Sequence, residues 1–210
     1  MMKFLPLFPL KLVAYPNELV NLHIFEPQYR EMINECYTEN KTFGIVTYIN
    51  NEMKDYGTEM KIDKIVKVYD DGRMDIQTKG ISVFRLLEFV KEVPNKLYTG
   101  GIVTKIENIN DKSVLMSQKI LKLTEDLFLV MQLDLSKLSK IKEIVSFEIA
   151  HHIGFSIEQE YELLSVKREV VRQKIILEHL KKILPVVKEA EHLRQKVKLN
   201  GHFKNLKPPF

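Results

Sequence analysis

The chain has 210 residues, 45% of them hydrophobic and 29% charged, with a formal net charge of +4. Cys36 is the only cysteine, which excludes an internal disulfide and makes a reducing cytoplasm the simplest home. No uncharged run reaches the roughly 18 residues of a membrane helix. The apolar start is broken by Pro6, Pro9 and Lys11 without a small-residue cleavage site, so it does not read as a signal peptide. The expectation is a soluble cytoplasmic protein of one large or two small domains, without a membrane partner. Charge is uneven: residues 1–110 hold 14 basic against 15 acidic side chains, and residues 111–210 hold 18 against 13.

The chain opens on LPLFPLKLVAYPNELVNLHIFEPQYREM, residues 5–32. Pro6, Pro9 and Pro16 forbid a helix, because proline removes a backbone donor and pushes its predecessor into extended geometry. Residues 5–15 are therefore predicted to be extended, with a turn at Pro16-Asn17. Residues 19–25 alternate as a strand, with Leu19, Asn21, His23 and Phe25 on one face and Val20, Leu22 and Ile24 on the other. Leu22, Ile24 and Phe25 are expected to be heavily buried. Pro27 suits the first turn of a helix that carries Tyr29, Met32, Ile33 and Cys36. Residues 42–49, TFGIVTYI, read as a buried strand, and residues 50–56 as a polar loop. Residues 60–69 form a strand that slips near Lys64, which suggests a bulge. Asp70-Asp71-Gly72-Arg73 is a hairpin turn. Strands over 74–78, 81–90 and 98–106 follow, with a bend at Gly80 and a turn at Pro94-Asn95.

LPLFPL, then YP, then LVNLHIFEPQYREMI resembles the start of the Lon substrate-binding domain, the N-terminal module of ATP-dependent Lon proteases, which also occurs as a free-standing bacterial protein. Tyr56-Gly57-Thr58, Ile65-Val66, Asp71-Gly72-Arg73-Met74-Asp75-Ile76, Gly80 and Phe84-Arg85-Leu86 continue the resemblance. It implies a strongly curved β domain, a pseudo-barrel of the PUA-like kind. The hairpin-rich pattern points independently to an antiparallel barrel or sandwich.

Past Asn108 the hydrophobic period becomes helical. Val114, Leu115, Gln118, Leu121, Leu127, Phe128 and Met131 suit one amphipathic helix. Residues 138–153 suit a second, with Ile141, Ile144, Val145, Glu148, Ile149 and His152 as its stripe and Gly154 as a left-handed cap. Ser156 and Gln159 form a capping box for a short third helix. Residues 167–198 read as a long fourth, with Val170, Leu177, Leu180, Leu184 and Val187 on one face, a kink at Pro185 and a stop at Asn200-Gly201. The predicted fold is α+β: a β-rich domain over 1–108, a helical bundle over 111–200 ending in the long helix, and a basic tail over 201–210.

Catalytic signatures are sparse. No glycine is followed by lysine, so there is no phosphate loop. Ser139 and Lys140 are sequence neighbours and point apart on a helix. His151 and His152 lack the i, i+4 spacing of a helical zinc pair, and read as one core-facing and one exposed histidine. His23 reads as a hydrogen-bonded structural histidine. Residues 80–84 lack the second glycine of a nucleophile elbow. Cys36, beside Glu35, lacks the cationic neighbour of a reactive thiol and reads as core packing. Glu26 and Arg30 stand i, i+4 as a salt bridge. Arg194, Lys196, Lys198, Lys204 and Lys207 form a basic run without acids, which reads as a solvated tail. No catalytic, metal or cofactor residue is assigned.

The resemblance implies a non-catalytic module that binds extended or unfolded polypeptide, or a protease or other protein partner. Exposed apolar side chains in a groove between the domains are the expected route. The alternative is a PUA-like RNA-binding module, for which a positive surface stripe would speak.

Overall fold

The structure, a computed structural model, describes residues 2–140 and 145–203, with side chains described except at 137, 139, 140, 145 and 198–203. The chain falls into two units. One is Met1–Ile109 with Gly154–Arg168, and the other is Asn110–Ile153 with Glu169–Phe210.

The first unit is a six-stranded sheet. Its strands are β1 (Met2–Leu10), β2 (Leu19–Ile24), β3 (Phe43–Ile49), β4 (Glu52–Val68), β5 (Met74–Val90) and β6 (Gly100–Lys105). The order is β2-β5-β4-β3-β1-β6, and β5 also pairs with β6, so five strands close into a ring and β2 extends one side. The β1–β3 pairing is parallel and the others are antiparallel. The expected curved β pseudo-barrel is what the chain forms. Pro6 marks a change of partner: β1 pairs with β6 up to Pro6 and with β3 from Leu7 onward. A residue without an N–H is tolerated where one ladder ends.

The strands β4 and β5 are 17 residues each, long enough to serve both ring and extension. The second half of β5 pairs with β6 and its first half with β2. Bulges allow the bend. The β4–β5 register shifts between Glu59 and Met60, between Ile62 and Lys64, and between Ile65 and Lys67, and the expected slip near Lys64 is the second of these. At Gly80, a Cβ would lie 2.1 Å from the Tyr15 carbonyl oxygen. The Asp70–Arg73 turn is present, with Gly72 at φ 80°.

One expectation fails here. Residues 50–56 are not a loop, because β3 ends at Ile49 and β4 begins at Glu52. Asn50 and Asn51 turn the hairpin at φ 53° and 63°, and asparagine accepts the left-handed geometry that such two-residue turns need.

Two apolar clusters fill the unit. Leu5, Leu7, Val46, Phe84 and Val103 pack inside the ring. Phe8, Ile24, Met32, Ile33, Phe43, Ile45, Met60 and Ile76 belong to the second, which α1 (Pro27–Thr38) covers. Ile24 is buried, whereas Leu22 is only half-buried and Phe25 is 58% exposed. The two faces of β2 are therefore as alternation assigns them, but Phe25 lies outside the core.

Residues 154–168 also belong to this unit, although the sequence boundary at 108/111 groups them with the helices. Gly154 (φ 75°) and the Ser156–Gln159 capping box start α4 (Ile157–Ser165) as expected. Its Leu163 and Leu164 are buried. Tyr15 Oη donates to the Glu160 carbonyl at 3.0 Å, and the Tyr56 N–H donates to Tyr161 Oη at 3.2 Å. These contacts run across more than 100 residues of chain, out of reach of a periodicity argument.

In the second unit, α2 (Val114–Met131) packs against α5 (Glu169–Phe203). The buried stripe of α2 is Ile120, Thr124, Leu127 and Phe128; Leu127 and Phe128 are on the predicted face, whereas Val114, Leu115 and Met131, expected on it, are exposed. The single helix expected over 138–153 is replaced by a 3₁₀ segment (Leu135–Lys140), a short α3 (Val145–Ile149) and a 3₁₀ turn (Ala150–His152). Ile141 and Ile144 lie outside the described residues. Helix α5 contains Pro185 and runs past Asn200-Gly201 to Phe203.

The buried face of α5 combines Ile176, Leu180 and Leu184 with Glu169, Arg172 and Gln173. Ser146 Oγ donates to Glu169 Oε2 at 2.5 Å, and Arg172 donates to Glu169 Oε2 through Nε (3.1 Å) and Nη2 (2.8 Å). The guanidinium also stacks 4.2 Å from the Phe147 ring centroid. Burial lowers the Arg172 pKa, and the Glu169 charge opposes that shift. Among the described residues every buried side-chain nitrogen and oxygen has a partner, as charges this deep require.

Candidate functional site

The residues singled out in the sequence do not converge. Glu26 accepts a hydrogen bond from Gln28 at 2.6 Å. Arg30 turns away to the β4–β5 turn, where a Cβ on Gly72 would meet its Nη2 at 1.9 Å. The expected Glu26–Arg30 bridge is not formed among the described residues, because Arg30 lies toward the charge of Asp71. Cys36 is buried, and burial followed by the nearby Glu35 charge pushes its thiol up to about 12, so it is unreactive packing. His151 and His152 are both exposed, against the expectation of one core-facing ring. The 3₁₀ turn moves them out of the phase of a continuous helix, and His152 lies edge-on to Phe128 at 6.3 Å. Among the described residues no three His, Cys, Asp or Glu side chains group as metal ligands. Ser82 Oγ, beside Gly80, donates to Glu59. Ser139 and Lys140 end a 3₁₀ segment, and their side chains lie outside the described residues, as does the tail 204–210. Arg194 lies 3.6 Å from Glu191.

Two pockets of charge in the first unit are internally satisfied. Glu59 accepts from Lys3, from Thr42 Oγ1 (2.7 Å) and from Ser82 Oγ (3.2 Å). Burial raises its pKa, but these donors outweigh it and hold the carboxyl below its ordinary value. Glu35 accepts from Lys96 and from Tyr98 Oη (2.9 Å), and the Lys96 bond leads in lowering its pKa. A cavity of about 360 Å³ lies beside them, between Lys3–Pro6 and residues 40–42.

The open surface is the outer face of β2, β5 and β4. Cross-strand register places three rows on it: Leu19, Lys79 and Lys61; Asn21, Gln77 and Lys64; His23, Asp75 and Lys67. Two depressions follow one another along these rows. One of about 460 Å³ is lined by Asn17, Lys61, Asp63, Lys79 and Ile81. The other, of about 470 Å³, is lined by Asn21, His23, Lys64, Val66, Asp75 and Gln77. Apolar side chains in contact with solvent line or flank them: Ile81 (44% exposed) in the first, Val66 (60%) in the second and Leu19 (55%) beside Lys79, with Phe25 at one end. At that end His23 Nδ1 lies 2.6 Å from Asp75 Oδ1, and Tyr69 Oη donates to Asp75 Oδ2 at 2.7 Å. The bond with His23, then that with Tyr69, lowers the Asp75 pKa. Lys67 stacks 4.3 Å from the Tyr69 ring centroid. His23 is thus hydrogen-bonded, as expected, but on an exposed face.

A sheet face of this kind, apolar points set among polar partners along two long strands, suits a chain laid down in extended form. It offers no paired nucleophile and base. Sequence reasoning missed the face because the lysines of KIDKIVK, residues 61–67, are three apart and alternate sides in a regular strand. The two bulges between them bring all three to one side.

Comparison with known proteins agrees with this architecture. The sequence profile described as the "ATP-dependent protease La (LON) substrate-binding domain" matches residues 4–182. A Lon protease of Anaeromyxobacter dehalogenans is 22% identical over 216 residues, covering 92% of this chain and 25% of that protein. The chain thus spans a quarter of the length of this relative. The crystal structure of a Lon N-terminal domain protein from Xanthomonas campestris superposes with a TM-score of 0.67 at 24% identity, covering 83% of this chain and 97% of that one. The N-terminal domain of a Mycobacterium avium complex Lon protease superposes at 0.65 with 11% identity, covering 85% and 98%.

Proposed function

The chain belongs to the ATP-dependent protease La (LON) substrate-binding domain family, and on that premise we propose that it binds extended polypeptide segments on the outer face of β2, β5 and β4 without chemically altering them. The exposure of Leu19, Val66 and Ile81 around two depressions carries this reading, since clustered exposed apolar side chains mark interaction surfaces. An extended segment presents alternate side chains to a sheet face, and six residues span about 20 Å, the run of β5 from Asp75 to Gly80. The reading supposes no cofactor and places the module in a reducing compartment, consistent with one buried thiol.

The test is fluorescence anisotropy with a labelled, permanently unfolded polypeptide. The parent protein is expected to bind, and a Leu19→Ser/Val66→Ser/Ile81→Ser variant to bind about tenfold more weakly with an unchanged melting curve. Absence of binding by the parent, or full binding by a folded triple variant, overturns the reading.

A further inference from the structure

The outer face carries a feature that neither folding nor apolar contact requires. Lys61 on β4 stands directly opposite Lys79 on β5. Directly opposed like charges destabilise a sheet pair, because their Cβ atoms are only about 5 Å apart. Among the described residues neither lysine is in an ion pair, and both are exposed. One acid, Asp63, lines the same depression and leaves it one positive charge in excess. The register extends the pattern, because Lys64 faces Gln77 and Lys67 faces Asp75. Four lysines therefore share the face, and Asp75, already engaged by His23 and Tyr69, is the acid opposite Lys67. The basic column is built by the bulges at 62–64 and 65–67. Leu19 lies beside Lys79 in the same row, and Ile81 lies two residues farther along β5.

Resting on the reading above, we propose that this face selects polypeptide segments by charge: a side-chain carboxylate of the bound segment sits between Lys61 and Lys79, flanked by apolar residues two positions away on either side. The carboxylate cancels the like-charge repulsion that the free protein sustains. With the segment laid along β5, the apolar neighbour that alternation brings to the same side of an extended chain meets Ile81, while Leu19, beside Lys79 across the strands, bounds the site laterally. A polypeptide suits the depression better than a nucleic acid, since Leu19 and Ile81 beside the lysine pair are aliphatic and none of the residues lining that depression carries a ring for base stacking.

The test uses the full chain and two labelled peptides, acetylated and amidated so that a side chain supplies the sole carboxylate. Both have the pattern Leu-x-Glu-x-Leu, and in one Gln replaces Glu. The Glu peptide is expected to bind the parent about tenfold more tightly, with the preference shrinking as salt is raised. In Lys61→Gln/Lys79→Gln the preference is expected to fall to about twofold or less, whereas Lys119→Gln/Lys122→Gln on α2, with the same net charge, keeps it. Thermal melting gives an independent readout: Lys61→Gln/Lys79→Gln is expected to melt no lower than the parent, because a repulsion has been removed. Equal binding of the two peptides, or a preference that survives in Lys61→Gln/Lys79→Gln, overturns the charge proposal and leaves general polypeptide binding standing. Failure of both peptides and of the unfolded polypeptide to bind the parent overturns the two together. Displacement of the Glu peptide by a single-stranded oligoribonucleotide, at concentrations where unlabelled Glu peptide does not compete, assigns the lysines to nucleic acid and overturns it as well.

Discussion

Gly44 on β3 and Gly57 on β4 mark where the ring closes over Phe84, and substitutions there separate side-chain crowding from backbone crowding. The three atoms nearest a Cβ on Gly44 all belong to side chains: Phe84 Cζ at 2.7 Å, Phe84 Cε1 at 2.8 Å and Leu7 Cδ2 at 3.0 Å. A Cβ on Gly57 meets Phe84 Cζ at 2.6 Å but also the Ile45 carbonyl oxygen at 2.4 Å. Phe84 is 1% exposed and has no open space to swing into. Gly44→Ala therefore overpacks the core and should cost about 1–3 kcal/mol. Phe84→Leu removes the offending ring edge and should cost about 1–2 kcal/mol for the cavity left. In the double variant the new methyl group fills part of that cavity, so the two losses should fall short of their sum by about 1–2 kcal/mol. Gly57→Ala should gain less than about 0.5 kcal/mol from Phe84→Leu. Its closer obstacle is a backbone oxygen held by the β3–β4 ladder, where Ile45 pairs with Thr58. Urea unfolding of the parent, the three single variants and the two doubles, followed by far-ultraviolet circular dichroism, measures both couplings provided the slope stays constant. Simple additivity for Gly44→Ala with Phe84→Leu, or equal rescue of both glycine variants, refutes the reasoning.

Other expectations concern the core and the charges. Ile24→Ala should cost about 2–5 kcal/mol, with half-buried Leu22→Ala costing less and exposed His23→Ala least; thermal melting of the three variants gives the order. Glu59 has a lowered folded pKa, so its contribution is present above the ordinary glutamate value of about 4.3 and is lost as pH falls through that value toward the folded one. Glu59→Gln should accordingly melt lower than the parent near neutral pH but lose less on acidification, and parallel pH profiles for the two proteins would contradict this. Arg172→Met should cost about 3–5 kcal/mol by stranding the Glu169 carboxylate, and Glu169→Leu/Arg172→Met should recover most of it. A double variant no more stable than the single would show that the ion pair, and not its desolvation, dominates.

Local chemistry made much of the fold legible in advance. The Asp70–Arg73 turn, the left-handed Gly154 and the Ser156–Gln159 capping box depend on residues within four positions of one another, and all three are present. The two faces of β2 follow from the pleat alone. Legibility ended where partners are distant in the chain. Alternation cannot tell that β5 serves both β2 and β6, because pairing two edges of one strand is decided by the other strands. It cannot tell that α4 joins the β unit, because Tyr15 and Tyr56 hold it from more than 100 residues away. Helical periodicity assigned α5 an apolar stripe and passed over Glu169 and Arg172, which are tolerable in a core only because Ser146 and Phe147 arrive to pair with them. The lysine column is the sharpest case. A spacing of three residues scatters side chains over both faces of a regular strand, and it was the bulged register of β4 against β5 that collected Lys61, Lys64 and Lys67 on one surface.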